Sequence, residues 1–277
     1  EHVGLDARRL QTVDRLMAAW IAEGRIAGGV TLVARHGRIA HLGVQGWADL
    51  ARRTPLRDDT LFRIYSMTKP ITCAATLMLY EEGRFLLDDP VRSYLSECAE
   101  FRVRVKGADG ADELVRPKRD VTIHDLLTHL GGLTYECALQ ARKEGWTLAE
   151  FLRRFVQVPL AHHPGERWLY SASHDVLGRL IEVLSGRPLD AFLEERVFRP
   201  LGMTDTFFHV PAEKRDRLAT LYTEDAEGRL TSEVDPWFAF EAPPPGQPCF
   251  FSGGGGLVST AGDYLRFCLM LLNNGAW

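Results

Sequence analysis

Leu10, Val13, Leu16, Met17 and Trp20 recur at helical spacing, which predicts an amphipathic helix over Ala7 to Glu23. The pattern then changes to alternation. Val30, Leu32 and Ala34 alternate with Thr31 and Val33, so Gly28 to Ala34 and Ile39 to Gly46 read as strands joined by a tight turn at His36-Gly37. Thr60 to Tyr65 is a third extended run, and helical spacing returns at Ile71, Ala74, Ala75, Met78 and Leu79, predicting a helix up to Gly83. From Ser66 to about Leu201 the pattern is helical, interrupted by loops. Thr122 is placed to cap a short helix, Ile123 to His129, ending at Gly131-Gly132. Another runs from Ser173 to Ser185 with Val176, Leu177, Leu180, Ile181 and Leu184 inward and Gly186 as its stop. Pro243-Pro244-Pro245-Gly246 marks an irregular loop, and Val258 to Leu272 reads as a last amphipathic helix.

Two strands, a long helical middle and a return to mixed structure predict one domain of α+β class over 1–277. An antiparallel sheet flanked by helices would occupy 1–65 and 202–277, split by an inserted helical lobe over 66–201, with the active-site cleft between them. Composition agrees with a globular protein: 277 residues, 45% of them hydrophobic, can bury a large core. A net charge of -4 carries no electrostatic footprint for nucleic acid. The densest basic run, Arg102 to Arg119, is interrupted by Asp109, Asp112 and Glu113 and reads as a solvated loop. No apolar run approaches the length of a membrane span. Cys73, Cys98, Cys137, Cys249 and Cys268 are odd in number and widely spaced, with no zinc pattern. A reducing, cytoplasmic setting is expected from them, with Cys73 and Cys268 as small buried hydrophobes.

Chemistry enters at Ser66-Met67-Thr68-Lys69. A serine hydroxyl is a poor nucleophile until a neighbour accepts its proton. Residues three apart face the same way on a helical turn, so Lys69 can reach the Ser66 oxygen. Pro70 is tolerated only in a first helical turn, which puts Ser66 at a helix N-terminus. Roughly one S-x-x-K is expected by chance in a chain this long, so the spacing alone favours a capping serine with a solvated lysine. Tyr170, before the Ser173 helix, could relay a proton if it lay beside a lysine ammonium, but by itself it reads first as a packed aromatic with a satisfied hydroxyl.

Taken in order, the motifs resemble the serine β-lactamase and penicillin-binding-protein superfamily, in its class C-like branch with the family VIII carboxylesterases. The resemblance runs through Ser66 to Pro70, Glu82 to Pro90, Leu126 to Leu133, Tyr170 to Ser173, Pro200 to Met203 and Gly253 to Ala261. It implies a β-lactamase/transpeptidase-like fold, with Ser66 as the acyl-accepting nucleophile, Lys69 as its base and Tyr170 as proton shuttle. The Ser66 amide would be one oxyanion donor, a kind of group worth about 3 kcal/mol in the transition state. Tyr135 matches an aromatic that lines esterase pockets and is carried as substrate-binding. The implied partner is a small ester, with no cofactor, no metal, no nucleic acid and no membrane.

Two departures shape the expectation. Family β-lactamases and peptidases carry Asn two residues after the tyrosine, where this chain has Ala172, which favours esters over amides. The third family motif, a Lys-Thr-Gly or its equivalent on a strand, has no match after Thr260, and Gly253 to Gly256 precedes the helix that the motif normally follows. A chain cut short at its C-terminus is therefore expected, with strands supplied from beyond Trp277 or by another chain, since an isolated hairpin is marginal in water. Other chemistries lack their signatures: no G-x-S-x-G elbow, no P-loop, and no H-E-x-x-H among His124, His129, His162, His163 and His174. A β-lactamase or peptidase, an acyltransferase to an alcohol other than water, and an inactive binding protein on this fold stay open as alternatives.

Overall fold

Asp6 starts the first helix by accepting the N–H groups of Arg8 and Arg9 (2.8 and 3.3 Å), and the helix runs over Ala7–Ala22. The structure is a computed structural model that describes residues 3–234 and 249–276. Leu10, Val13, Met17 and Trp20 are half-buried as the periodicity requires, but Leu16 is 47% exposed. It lies one residue before Met17 and so about 100° round the helix from it, off the buried stripe.

The chain divides into two compact units. The first comprises Glu1–Arg63, Phe198–Phe240 and Val258–Trp277. Its sheet is led by the hairpin Gly28–Arg35 and Arg38–Asp49, paired from Arg35↔Arg38 to Gly28↔Gly46. His36 and Gly37 make the turn at φ 51° and 70°, the left-handed pair whose twist matches that of the strands. Thr54–Pro55 adds a short third strand that the pattern could not reveal, being two residues long. The expected extended run Thr60 to Tyr65 forms a strand only at Phe62–Arg63, which pairs with Val258–Ser259. The last helix is therefore shorter than expected, Ala261–Leu272, because Thr260 caps it by accepting the Asp263 N–H at 3.1 Å. Leu61, Val210 and Val258 form a buried cluster with Phe207 and Leu218 against it.

The second unit comprises Ile64–Val197 and Glu241–Leu257. Two helices, Thr68–Glu81 and Ser173–Ser185, pack together. Ile71, Ala75 and Leu79 are buried on the first and Val176, Leu177, Leu180 and Ile181 on the second. Each fully buried Leu or Ile contributes roughly 1.5–3 kcal/mol relative to exposure. Phe151 stacks on Phe155 at 4.8 Å and meets Phe250 at 5.0 Å. The Arg102 to Arg119 segment corrects the loop reading: Val103–Lys106 and Asp112–Val115 form a hairpin. Val103 is fully buried while charged residues face outward, and a turn closes where Asp109 accepts the Ala111 N–H and Gly110 takes φ 81°. Charge had masked the alternation. Pro243 to Gly246, expected as a loop, lies outside the described residues.

Both units mix helices with small antiparallel sheets, and the fold is α+β. Among the described residues no helix is long and apolar enough to cross a membrane. All five cysteines are free; Cys73 and Cys268, expected inside, are only half-buried, whereas Cys98 and Cys249 are buried.

The short helix Ile123–Thr128 carries a prediction about stability. Thr122 and Asp125 form a capping box, and Asp125 also accepts two hydrogen bonds from Arg119 (2.5 and 2.9 Å). Burial works to raise the Asp125 pKa, but the hydrogen bonds from Arg119 and Thr122 and the Arg119 charge together outweigh it and hold the carboxyl below its ordinary value. A depressed carboxylate stabilises the fold above its unfolded pKa, about 3.9, and that stability is lost as pH falls through the folded value. Asp125→Asn should cost about 1–2 kcal/mol at pH 7 by urea unfolding. The gap to the unsubstituted protein should close below about pH 4, and a gap constant with pH would contradict the ion pair.

Candidate active site

Ser66 stands at the end of a strained approach. Tyr65 takes φ 42°, a left-handed backbone costing about 1–3 kcal/mol for a residue with a side chain. Its flanks hold it there: the Ile64 N–H donates to the Leu257 carbonyl at 3.0 Å and the Leu257 N–H to Thr68 Oγ1 at 3.2 Å. Tyr65–Met67 is a 3₁₀ turn that runs straight into the helix Thr68–Glu81, with Pro70 in its first turn. Ser66 is exposed and Lys69, one turn on, is buried.

Lys69 Nζ donates to Ser66 Oγ at 3.1 Å, to the Tyr135 hydroxyl at 3.1 Å and to the Gly254 carbonyl at 2.7 Å. It also lies 4.5 Å from the centroid of the Tyr170 ring. Tyr170 is positioned by its neighbours: the Leu169 N–H donates to the His129 carbonyl (2.9 Å) and the Ala172 N–H to the Thr134 carbonyl (3.1 Å). Its hydroxyl shares hydrogen bonds with Lys69, Ser66 and Tyr135. Burial opposes ionisation of Tyr170, yet the bonds to Lys69 and Ser66 and the lysine charge prevail, and its pKa falls below the usual tyrosine value. Tyr135 goes the other way, raised by burial first and then by negative charge at Tyr170 and Asp175. The four residues singled out from the sequence, Ser66, Lys69, Tyr135 and Tyr170, thus meet within one hydrogen-bonded group. Tyr135 stands closer to the lysine than a residue expected only to line a pocket.

Ala172 precedes the Ser173–Ser185 helix with its side chain fully buried, so no group at that position reaches outward. Behind Tyr170 lie His129 and His174, ring centroids 4.8 Å apart. Burial, then the charge of Lys69, lowers His129 to about 4. Burial, then His129 and Lys69, lowers His174 to about 3, and its Nε2 lies 3.2 Å from Cys73 Sγ. Both imidazoles are neutral near pH 7. Burial pushes the Cys73 thiol up to about 11 against the pull of Lys69, which leaves it unreactive.

Several residues around the group carried no usable signal. Asp175, fully buried, accepts from Ser252 Oγ at 2.6 Å and from the Gly254 N–H at 3.0 Å, and Arg142 donates to Ser252 Oγ at 3.3 Å. In the sequence Asp175 looks like an ordinary first-turn acid of a helix. Among the described residues no cluster of three or more His, Cys, Asp or Glu is placed to hold a metal ion.

Comparison with known proteins shows the family. The family model described as Beta-lactamase matches residues 11–276. Protein Rv1367c of Mycobacterium tuberculosis (strain ATCC 25618 / H37Rv) is 38% identical over 260 residues, 91% of this chain and 64% of that protein. The chain therefore spans slightly under two thirds of that relative's length. Esterase EstB of Burkholderia gladioli is 38% identical over 292 residues, covering 95% of this chain and 70% of the esterase. Among solved structures, EstCE1, a hydrolase with promiscuous acyltransferase activity, superposes with a TM-score of 0.76 at 30% identity. That match covers 97% of this chain and 73% of EstCE1. The fold is of the β-lactamase/transpeptidase type.

Proposed function

The chain belongs to the beta-lactamase family, and on that premise we propose that it is a serine hydrolase of small carboxylic esters, working through an acyl-enzyme on Ser66. The observation that carries the reading is the 3.1 Å contact between Lys69 Nζ and an exposed Ser66 Oγ, with the Tyr170 hydroxyl bonded to both. The likeness to Esterase EstB supports the ester class.

In the reaction Lys69 is the base toward Ser66, held in place by its bonds to the Tyr135 hydroxyl and the Gly254 carbonyl. Ser66 Oγ attacks the ester carbonyl carbon and its proton passes to Lys69 Nζ. The carbonyl electron pair moves onto oxygen, where the Ser66 N–H at the start of the helix stabilises it. As the tetrahedral adduct collapses, the ester C–O bond breaks and the Tyr170 hydroxyl gives its proton to the departing alkoxide, to be reprotonated from Lys69. Water then attacks the acyl carbon, passing its proton to the Tyr170 oxygen as the tyrosine's own proton moves to Lys69; the bond from the acyl carbon to Ser66 Oγ breaks, and Lys69 returns that proton to Ser66 as the acid departs. A proton-transfer group of this kind accelerates a step by about 10²–10⁴.

The reading is tested by incubating the protein with a chromogenic acetyl or butyryl ester and with a serine-reactive phosphonate. Turnover that the phosphonate abolishes in step with labelling of one serine is the expected result. The absence of both would mean a binding protein. Esters should also be preferred over β-lactams, because nothing at Ala172 can pair with a substrate amide. An unpaired polar group costs about 1–3 kcal/mol, or roughly 5- to 150-fold in kcat/KM. A chromogenic cephalosporin turned over as well as the ester would move the reading to a lactamase.

A second reading rests on the EstCE1 likeness: transfer of the acyl group to an alcohol other than water. Both share the acyl-enzyme. Adding a primary alcohol decides between them, since a transferase forms the new ester in preference to free acid.

A further inference from the structure

The run Gly253-Gly254-Gly255-Gly256 exchanges no proton in the steps above, yet it lies against Lys69. None of its glycines takes a positive φ, so backbone freedom does not explain them. Close approach does. A Cβ on Gly253 would meet the His174 carbonyl oxygen at 2.4 Å, and one on Gly254 would meet Asp175 Oδ2 at 3.1 Å. On Gly255 it would meet Arg142 Nη2 at 3.1 Å.

The run is closed into a turn, with the Gly255 and Gly256 N–H groups donating to the Ser252 carbonyl (3.3 and 2.9 Å). Side chains pin it from the helices beneath. Thr72 Oγ1 donates to the Gly253 carbonyl at 2.7 Å. Asp175 Oδ1 accepts both the Gly254 N–H and the Ser252 hydroxyl. Gly254, held on its amide side by Asp175, turns its own carbonyl to Lys69 Nζ. This bond is shorter than those Lys69 makes to Ser66 and Tyr135, and it goes to backbone.

We propose that Asp175 is a positioning residue for the reaction: by fastening the glycine turn it fixes the carbonyl that aims Lys69 at Ser66. The proposal rests on the reading of Lys69 as the base. A lysine ends in a compact head on a flexible four-carbon stem, so its aim depends on what it is bonded to. Ser66 Oγ reacts and moves, and the Tyr135 hydroxyl can rotate. The Gly254 carbonyl is backbone whose place is set by the groups that hold the turn, and Asp175 is the acidic side chain that accepts from that turn. A buried carboxylate that only balanced Arg142 would have no need to meet the Gly254 amide.

The test compares Asp175→Ala, Asp175→Asn and Thr72→Val with the unsubstituted protein. Four quantities are read: kcat and KM for a small chromogenic ester, the rate of phosphonate labelling of Ser66, and the unfolding midpoint. Misplacing a reacting group slightly can cost about 10²-fold, and Asp175→Ala should lower both kcat and labelling by that order with KM unchanged. Asp175→Asn, which keeps an acceptor oxygen, should lose less than Asp175→Ala. Thr72→Val, close in shape and lacking only the hydroxyl pin, should fall in the same direction by a smaller factor. Folded Asp175→Ala that labels and turns over normally would overturn the proposal. So would a loss of kcat that only follows the loss of folded protein. If Asp175→Ala does not fold, Thr72→Val and Ser252→Ala decide: slower labelling supports the proposal and unchanged labelling overturns it. Failure of the underlying reading looks different, because the unsubstituted protein would then neither label nor hydrolyse.

Discussion

Ser66→Ala should lower ester turnover by about 10⁴-fold or more while leaving the unfolding midpoint nearly unchanged. The large loss follows from chemistry: without Oγ there is no acyl-enzyme, and Lys69 and Tyr170 have no nucleophile to serve. The small structural effect follows from placement. Ser66 is exposed and is one acceptor among several for Lys69, whose bonds to Tyr135 and Gly254 stay in place. Both measurements are needed, kcat with a chromogenic butyryl ester and the thermal midpoint. Turnover that survives would place the nucleophile elsewhere. A collapse of the midpoint would make the kinetic loss uninformative and contradict the geometry.

Lys69→Met and Tyr170→Phe should each remove about 10³-fold of kcat, and the double variant should lose little more than either. The two side chains and Ser66 share one set of hydrogen bonds, so protons move through them as a unit. Met keeps the lysine's buried stem volume, and Phe keeps the ring packed on His129 and Tyr135. Each substitution therefore removes a proton carrier and little packing. Double-mutant kinetics are the check. Losses that multiply would show that the lysine and the tyrosine act on separate steps.

Legibility from the sequence differed between elements for physical reasons. The helix Ser173–Ser185 matched its expected bounds because its apolar stripe is regular and Gly186 ends it in the left-handed conformation. The first hairpin was legible because His36-Gly37 is a turn flanked by alternation. The pairing of Phe62–Arg63 with Val258–Ser259 was not, since two-residue strands have no period and their partners lie far apart in the chain. At the site, Ser66 and Lys69 could be joined because three-residue spacing is local. Tyr135 and Tyr170 reach Lys69 only through tertiary structure and came from the family resemblance. Asp175 and Ser252 escaped altogether, because a buried carboxylate is defined by what surrounds it, and those groups are spread from Thr72 to Gly254.

The most direct test of the central claim is to trap the acyl group. The protein is mixed with an ester that deacylates slowly, quenched in acid during turnover and digested, and its peptides are weighed. The account expects one acyl mass on the peptide containing Ser66, forming as fast as the first alcohol is released and absent from Ser66→Ala. An acyl mass on a different residue, or steady turnover with no acyl-peptide at any time, would contradict it.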